Sequence, residues 1–336
     1  MIITRTPLRL SLAGGGTDMP GFYEANDFGA VVSFAIDKYI YISVNRKFDG
    51  RTRVAYSRVE EVDSTDLQYL QHDLAREALL AHNTRGVEVS SVSDIPGEGT
   101  GLGSSSAYAV GLDLALRAYR GLSVNQHPGV YAEFAYHVER DRCGHPVGKQ
   151  DHYAAAYGGF HYFQFEKERV VAQELNLKEN QIHWLEETLM LFYMGRPRDA
   201  NDILKVQEEN ISRENGESRR AASQLRTLAV WLRNELAMGN LDEVGSILRE
   251  VWDHKKRMSP GVSDLLIDLL IAKGIEWGAT GGKVCGAGGG GFLLFAVPQG
   301  KQLDVQRVME NNGCKRVTFK VAPRGSQVIY DGGKYE

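Results

Sequence analysis

Residues 96–116 read PGEGTGLGSSSAYAVGLDLAL, a run of glycines and serines set directly against a stretch that is almost wholly apolar. This juncture constrains the fold more than any other part of the chain. A helical segment with no polar face has to be buried on all sides. The loop in front of it is then held in a fixed place, because the helix behind it cannot move. Glycines admit backbone approaches that a Cβ would block, and serine hydroxyls cap an opening helical turn. A helix start also gathers unpaired N–H groups and a partial positive charge, which suits an anion with several acceptor oxygens, phosphate foremost.

Two familiar phosphate loops do not fit. A Walker A loop ends in Gly-Lys-Ser/Thr, and this stretch contains no lysine. GEGTGLG approaches the G-x-G-x-x-G of dinucleotide sites, but an isolated match of that kind is weak. Two further glycine clusters occur, LSLAGGGTD at 10–18 and VCGAGGGGFLLFAV at 284–297. The latter runs into a strand-like segment rather than a helix, which counts against a dinucleotide-dependent oxidoreductase. A lone cluster makes a turn; three in one chain suggest backbone approaching a ligand from several sides.

Around these clusters the first half reads as strands with few helices. AVVSFAID, YIYISV, RVAYS and VEVSSVSDI are rich in β-branched and aromatic residues. Leu67, Leu70, Leu74, Ala78 and Ala81 recur at helical spacing, and GGFHYFQF reads as a strand opened by a Gly-Gly turn. Beyond about residue 185, TLMLFYM predicts a strand, followed by helical stripes at Leu225, Leu228 and Leu232 and at Leu241, Val244, Leu248 and Val251. SDLLIDLLIAKG carries a helix start at Ser263 and a stop at Gly274. GFLLFAV, RVTFKV and SQVIY predict closing strands, and the polar segment EENISRENGESRR predicts a flexible stretch. Strands and helices mixed without a regular βαβ repeat give two α+β domains, a division that 336 residues favour.

Composition removes several classes of partner. The formal charge is −4 with Lys and Arg scattered, so no nucleic-acid surface is predicted and any anion site is local. Three widely spaced cysteines, Cys143, Cys285 and Cys314, argue against a disulfide framework and for a reducing compartment. MIITRTPLRL lacks the apolar core of a signal peptide, and no apolar run approaches the ~18–20 residues of a membrane span. The expectation is a cytoplasmic protein without a membrane partner; a homodimer is left open. His137, Cys143, His145 and His152 crowd together, but their spacing matches no paired zinc-ligand pattern.

The order PLRLSLAGGGTD, PGEGTGLGSSSA, GKQDHYAAAYGG and CGAGGGGF resembles the GHMP kinase superfamily, whose founders include galactokinase, homoserine kinase and mevalonate kinase. Within it the chain is most similar to the D-glycero-D-manno-heptose 7-phosphate kinases, a likeness that LFYMGRPRDANDILKVQ and SPGVSDLLIDLL share and that spans about Arg5 to Val328. The resemblance implies an α+β fold with an N-terminal ATP-binding domain over 1–185, of the ribosomal S5 domain 2-like type. A ferredoxin-like domain follows over 186–336, with the active site in the cleft between them. It implies phosphoryl transfer from ATP, with Mg²⁺, to the anomeric 1-hydroxyl of D-glycero-D-manno-heptose 7-phosphate. The product would serve nucleotide-activated heptose and surface polysaccharide, either lipopolysaccharide or capsule. An L-fucose- or galactose-type sugar 1-kinase is the alternative, and a non-catalytic nucleotide-binding regulator a more distant one.

Site residues follow from the same resemblance. Gly97, Gly99, Gly101, Leu102, Gly103, Ser104, Ser105 and Ser106 would cradle the ATP phosphates, and Ser105 with Glu139 would hold Mg²⁺. Asp151, in the first turn of the helix predicted for QDHYAAAY, would be the catalytic base, with Arg9 beside it. Gly15, Gly16, Thr17 and Asp18 would face the sugar. Galactokinases carry Glu-His where this chain has Gly15-Gly16, which leaves more room and suits a seven-carbon substrate. A second anion site for the 7-phosphate would draw on Arg196, Arg198 and Lys205, with Lys149 as a further contact. The loop Gly286–Gly291, including Gly288 and Gly289, would close over the ligands.

Overall fold

The computed structural model describes residues 1–96, 99–196, 200–213 and 216–333; Gly97 and Arg198, both named above, lie outside them. The first part of the chain runs β1 (Ile2–Ala13), α1 (Pro20–Tyr23), β2 (Gly29–Arg46), β3 (Thr52–Ala55), β4 (Val59–Val62), α2 (Asp73–Ala81), β5 (Val87–Ser93), α3 (Ser104–Tyr119), α4 (Pro128–Tyr136), α5 (Gln150–Tyr157), β6 (Phe160–Phe165) and β7 (Val170–Glu174). It continues with α6 (Glu179–Thr188), β8 (Leu189–Tyr193), α7 (Ala200–Ser212), α8 (Glu217–Met238), α9 (Glu243–Lys255), α10 (Leu265–Glu276), β9 (Gly281–Val284), β10 (Phe292–Ala296), α11 (Gln302–Asn311), β11 (Lys315–Val317) and β12 (Gln327–Asp331).

Among the described residues the strands form two sheets. The larger has the order β12-β1-β2-β5-β3-β4, with β6 also on β2 and β7 on β6; the smaller is β11-β8-β10-β9. β1 and β2 are the frame of the first, antiparallel over nearly their whole length with a register shift at Pro7/Leu8, where proline offers no N–H to the ladder. From Thr6 onward β1 is buried, since α3, α5, α8 and α9 all pack against it. The chain after residue 186 is not confined to the second sheet: β12 returns to pair with β1, and α8 packs on β2. α9 spans both, touching β9, β10 and β1, and so carries side chains from one sheet toward the other.

Three sequence expectations change. AVVSFAID and YIYISV form one strand, β2, because Asp37 and Lys38 interrupt the apolar run without turning the chain. Asp37 instead bonds the backbone of Lys320, and here β2 exchanges β6 for β5 as its neighbour. The helix read from Ser263 to Gly274 is capped by Asp264, whose carboxylate accepts from Ile267 N at 2.9 Å, and it runs through Gly274 to Glu276. Gly274 marks close packing, since a Cβ there would lie 2.4 Å from the buried ring of Phe295. EENISRENGESRR is helical on both sides of the residues left undescribed. Its polar groups are tied down: Glu208 pairs with Arg140, and Arg219 donates to Ala25 O.

Candidate active site

The glycine–serine loop has the shape its composition calls for. Gly99, Gly101 and Gly103 each take a left-handed φ, at 65°, 76° and 78°, and alternate with ordinary residues. Alternation of this kind is the backbone pattern from which anion-binding concavities are built. Gly103 is the N-cap of α3, and residues Ser106 through Leu116 behind it are buried, so the helix is fixed as its apolar sequence predicts. Leu102 is buried and its carbonyl accepts from Arg9 N at 3.1 Å, which pins the loop to β1. Ser104 is partly buried and Ser105 exposed, whereas Ser106 is buried.

Asp151 sits in the first turn of α5 and meets Arg9 in a two-pronged pair. Arg9 Nε donates to Oδ1 at 2.8 Å and Nη2 to Oδ2 at 2.7 Å, while Nη1 donates to Gly101 O at 2.6 Å. Two parallel bonds fix the carboxylate in direction as well as position. The carboxylate lies against Gly103, where a Cβ would come within 3.3 Å of Oδ2. Arg9 is 3% exposed. Thus β1, the loop and α5 converge on one charged pair beside the start of α3.

The GGGTD segment is assigned differently by its partners. Thr17 is fully buried and its hydroxyl bonds Gly14 O at 2.8 Å and Ala30 O at 2.9 Å while accepting from Ala30 N at 2.9 Å, so it holds the β1–β2 connection and does not face a ligand. Asp18 is buried as well. It accepts from Gly16 N at 2.8 Å, Gln150 N at 3.1 Å and Gln150 Nε2 at 3.0 Å. Burial and the neighbouring charge of Asp151 raise its carboxyl against those bonds. Asp18 therefore anchors the turn that presents Asp151. Lys149, at the N-cap of α5, donates to both oxygens of Glu133 at 2.7 and 2.9 Å and lies over the Tyr136 ring, away from Asp151.

Glu139 lies beneath the loop. Its Oε2 accepts from Ser106 Oγ at 2.8 Å and stands 2.7 Å from His152 Nε2; Oε1 is buried without a hydrogen-bond partner, His145 Nδ1 being 3.8 Å away. Burial pushes this carboxyl up, and the imidazoles of His145 and His152 with the Ser105 hydroxyl outweigh it, leaving it below the usual carboxylate range. A hard carboxylate oxygen left unmet, next to serine hydroxyls at a helix start, is a donor set that fits Mg²⁺. Of the clustered histidines, His137 pairs with Asp141 and His145 with Asp73, while His145 and His152 approach Glu139 from its two oxygens.

The second glycine loop, between β9 and β10, packs backbone to backbone on the first. A Cβ on Gly101 would fall 2.3 Å from Cys285 O, and one on Gly291 would fall 2.3 Å from Thr100 O. Gly288 and Gly289 press on Val262, with Gly289 N donating to its carbonyl at 2.8 Å, so neither lines the cleft; Gly286 does. Arg196 is half exposed and paired with Asp264 at 3.0 Å, and Lys205 is exposed. The cleft itself is a narrow cavity of about 20 Å³ walled by Arg9, Ser11, Gly15, Gln150, Lys255 and Lys283. Both lysines escape a motif-based reading. Yet Lys255 falls in register with Val244, Leu248 and Val251, where an apolar residue is due, and Lys283 stands three positions before Gly286, where the glycine run begins.

Residues 68–159 match the GHMP kinases N terminal domain. A D-glycero-alpha-D-manno-heptose 7-phosphate kinase of Campylobacter jejuni is 29% identical over 320 residues, covering 92% of this chain and 93% of that protein. A D-glycero-D-manno-heptose 1-phosphate kinase of Bacteroides thetaiotaomicron superposes with a TM-score of 0.79 at 25% identity, covering 98% of this chain and all of the other. A putative sugar kinase of Campylobacter jejuni gives 0.75 at 26% identity, with 97% of each chain covered. The two-domain α+β architecture is common to them.

Proposed function

The chain is a GHMP kinase, a phosphotransferase acting on an alcohol group, and from that premise we propose that it phosphorylates the anomeric 1-hydroxyl of D-glycero-D-manno-heptose 7-phosphate at the expense of ATP. The observation that carries the chemistry is the Arg9–Asp151 pair seated against Gly103 at the start of α3. In this reading the N–H groups of residues 99–103 and the α3 terminus receive the triphosphate. Asp151 takes the proton from the acceptor hydroxyl as that oxygen bonds to the terminal phosphorus. The bond from phosphorus to the bridging oxygen breaks, and ADP departs. Arg9 holds Asp151 in line and meets negative charge gathering on the transferred group. Glu139 and Ser105, with Ser106 bracing the carboxylate, would hold Mg²⁺, which neutralises phosphate oxygens when bound.

The substrate assignment draws on the heptose 7-phosphate kinase that is 29% identical along almost the whole chain. The product would supply nucleotide-activated heptose for surface polysaccharide in the cytoplasm; among the described residues no helix is long and apolar enough to cross a membrane. An ADP-release screen over heptose 7-phosphate, unphosphorylated heptose, L-fucose and galactose tests it, with the new phosphorus position read by NMR. Turnover on heptose 7-phosphate with an anomeric phosphorus signal is expected. Turnover confined to L-fucose or galactose would overturn the substrate, and no ADP release on any sugar would overturn the sugar-kinase reading.

A further inference from the structure

Two ammonium groups in the cleft beside Asp151 are not used by this mechanism. Lys255, closing α9, is 6% exposed, and its Nζ donates to Gly15 O at 3.2 Å and Gln207 Oε1 at 3.1 Å. Lys283, on β9, is 5% exposed, and its Nζ donates to Ser11 O at 2.7 Å and Leu12 O at 3.5 Å. Every one of these acceptors is neutral, and among the described residues neither lysine forms an ion pair. Arg9 adds a third cation to the same wall, and its own carboxylate partner is already engaged. Burying an ammonium group whose hydrogen-bond acceptors are all neutral is costly. Burial, with the field of Arg9 added to it, pushes both lysines down to about 8, although the charges of Asp18 and Asp151 act the other way on Lys255. Ser11 supplies an independent sign. Its residue is 5% exposed, it lines the cleft next to Lys283, and its hydroxyl has no hydrogen-bond partner.

We propose that Lys255, Lys283 and the Ser11 hydroxyl form a phosphate subsite that receives a phosphomonoester dianion next to Asp151. An anion there repays the desolvation of both ammonium groups and satisfies the orphaned hydroxyl. It also supplies what Arg196 and Lys149 do not, since those cations are paired with Asp264 and Glu133. Two sources carry this chemistry: a phosphate already on the acceptor, or the phosphoryl group in transit from the donor. Which of them occupies the subsite rests on the kinase reading; the existence of the subsite does not.

The test uses the full chain and three variants, Lys255→Met, Lys283→Met and Ser11→Ala, with thermal unfolding followed against inorganic phosphate. Without phosphate the methionine variants should unfold at the wild-type temperature or above it, because an unpaired buried charge has been removed. Their apparent phosphate affinity should weaken about tenfold, and that of Ser11→Ala a few-fold. Steady-state kinetics then separates the sources. A KM about tenfold higher for the sugar phosphate, with kcat and the unphosphorylated acceptor unaffected, assigns the subsite to the acceptor's phosphate. A kcat about tenfold lower on both acceptors assigns it to the group in transit. Methionine variants that lose stability without phosphate, or that keep the wild-type phosphate response, would overturn the proposal and make the lysines ties between β1 and its neighbours. If no sugar is phosphorylated and the variants still lose phosphate affinity, the subsite stands and the kinase reading falls.

Discussion

At the scale of the residue, partners decide roles that residue type leaves open. Asp151 and Arg9 are 142 positions apart in the chain, and each is prominent in a recognisable segment; the fold joins them through two bonds. Asp151→Asn should lower kcat by about 10²–10⁴, measured by ADP release, while nucleotide affinity by calorimetry stays near wild type, since the glycine loop and α3 are untouched. Thr17 is the opposite case. It stands in a glycine-rich segment that the family resemblance assigns to the sugar, yet its hydroxyl is spent on Gly14 and Ala30. Thr17→Val should therefore destabilise the protein by about 1–3 kcal/mol in urea titration, by leaving Ala30 N unpaired, with KM for the sugar unchanged. Nothing local distinguishes Thr17 from a ligand contact. Its partner Ala30 is 13 residues away, on the next strand.

At the scale of the element, apolar patterning located α3, α8 and α9 because each buries a continuous face, and hydrophobic periodicity reports burial directly. Boundaries were less legible. Gly274 reads as a stop signal, but in α10 it is a contact: Phe295 fills the space a side chain would need, and Gly282 leaves room for the same ring. Gly274→Ala should lower the urea midpoint, costing about 1–3 kcal/mol through overpacking, although alanine is by propensity about 1 kcal/mol better than glycine inside a helix. A neutral or raised midpoint would mean that the ring can move. Lys255 shows the converse: a charged residue in register with an apolar stripe was the one local sign that α9 reaches a polar cleft.

At the scale of the whole molecule, charges brought together from distant segments give a pH signature. Lys255 and Lys283 face each other's field, Arg9, Asp18, Asp151 and the Cys285 thiol, itself pushed up to about 11 by burial. Unfolded, both lysines hold their protons to about 10.5; folded, they release them near 8. The unfolded chain binds more protons across that window, so these groups make stability rise from pH 8 to 10.5. His145 acts the other way. Asp73 and Glu139 raise it from 6.5 to about 10, so the folded chain binds more protons and this contribution is lost as pH rises across that range. In urea midpoints followed against pH, the Lys255→Met/Lys283→Met double variant should lose the rising component and keep the falling one; identical profiles would show that neither lysine titrates in the fold. None of this is visible along the sequence. By itself the sequence determined the buried helix, the three glycine loops and the α+β class, because backbone freedom, capping and hydrophobic period act over a few residues. Only the tertiary structure decided that two of those loops touch through bare backbone, that β12 returns to β1, and that two lysines from α9 and β9 share one cleft. Such proximity depends on how the sheets pack, and on electrostatics felt through space rather than along the chain.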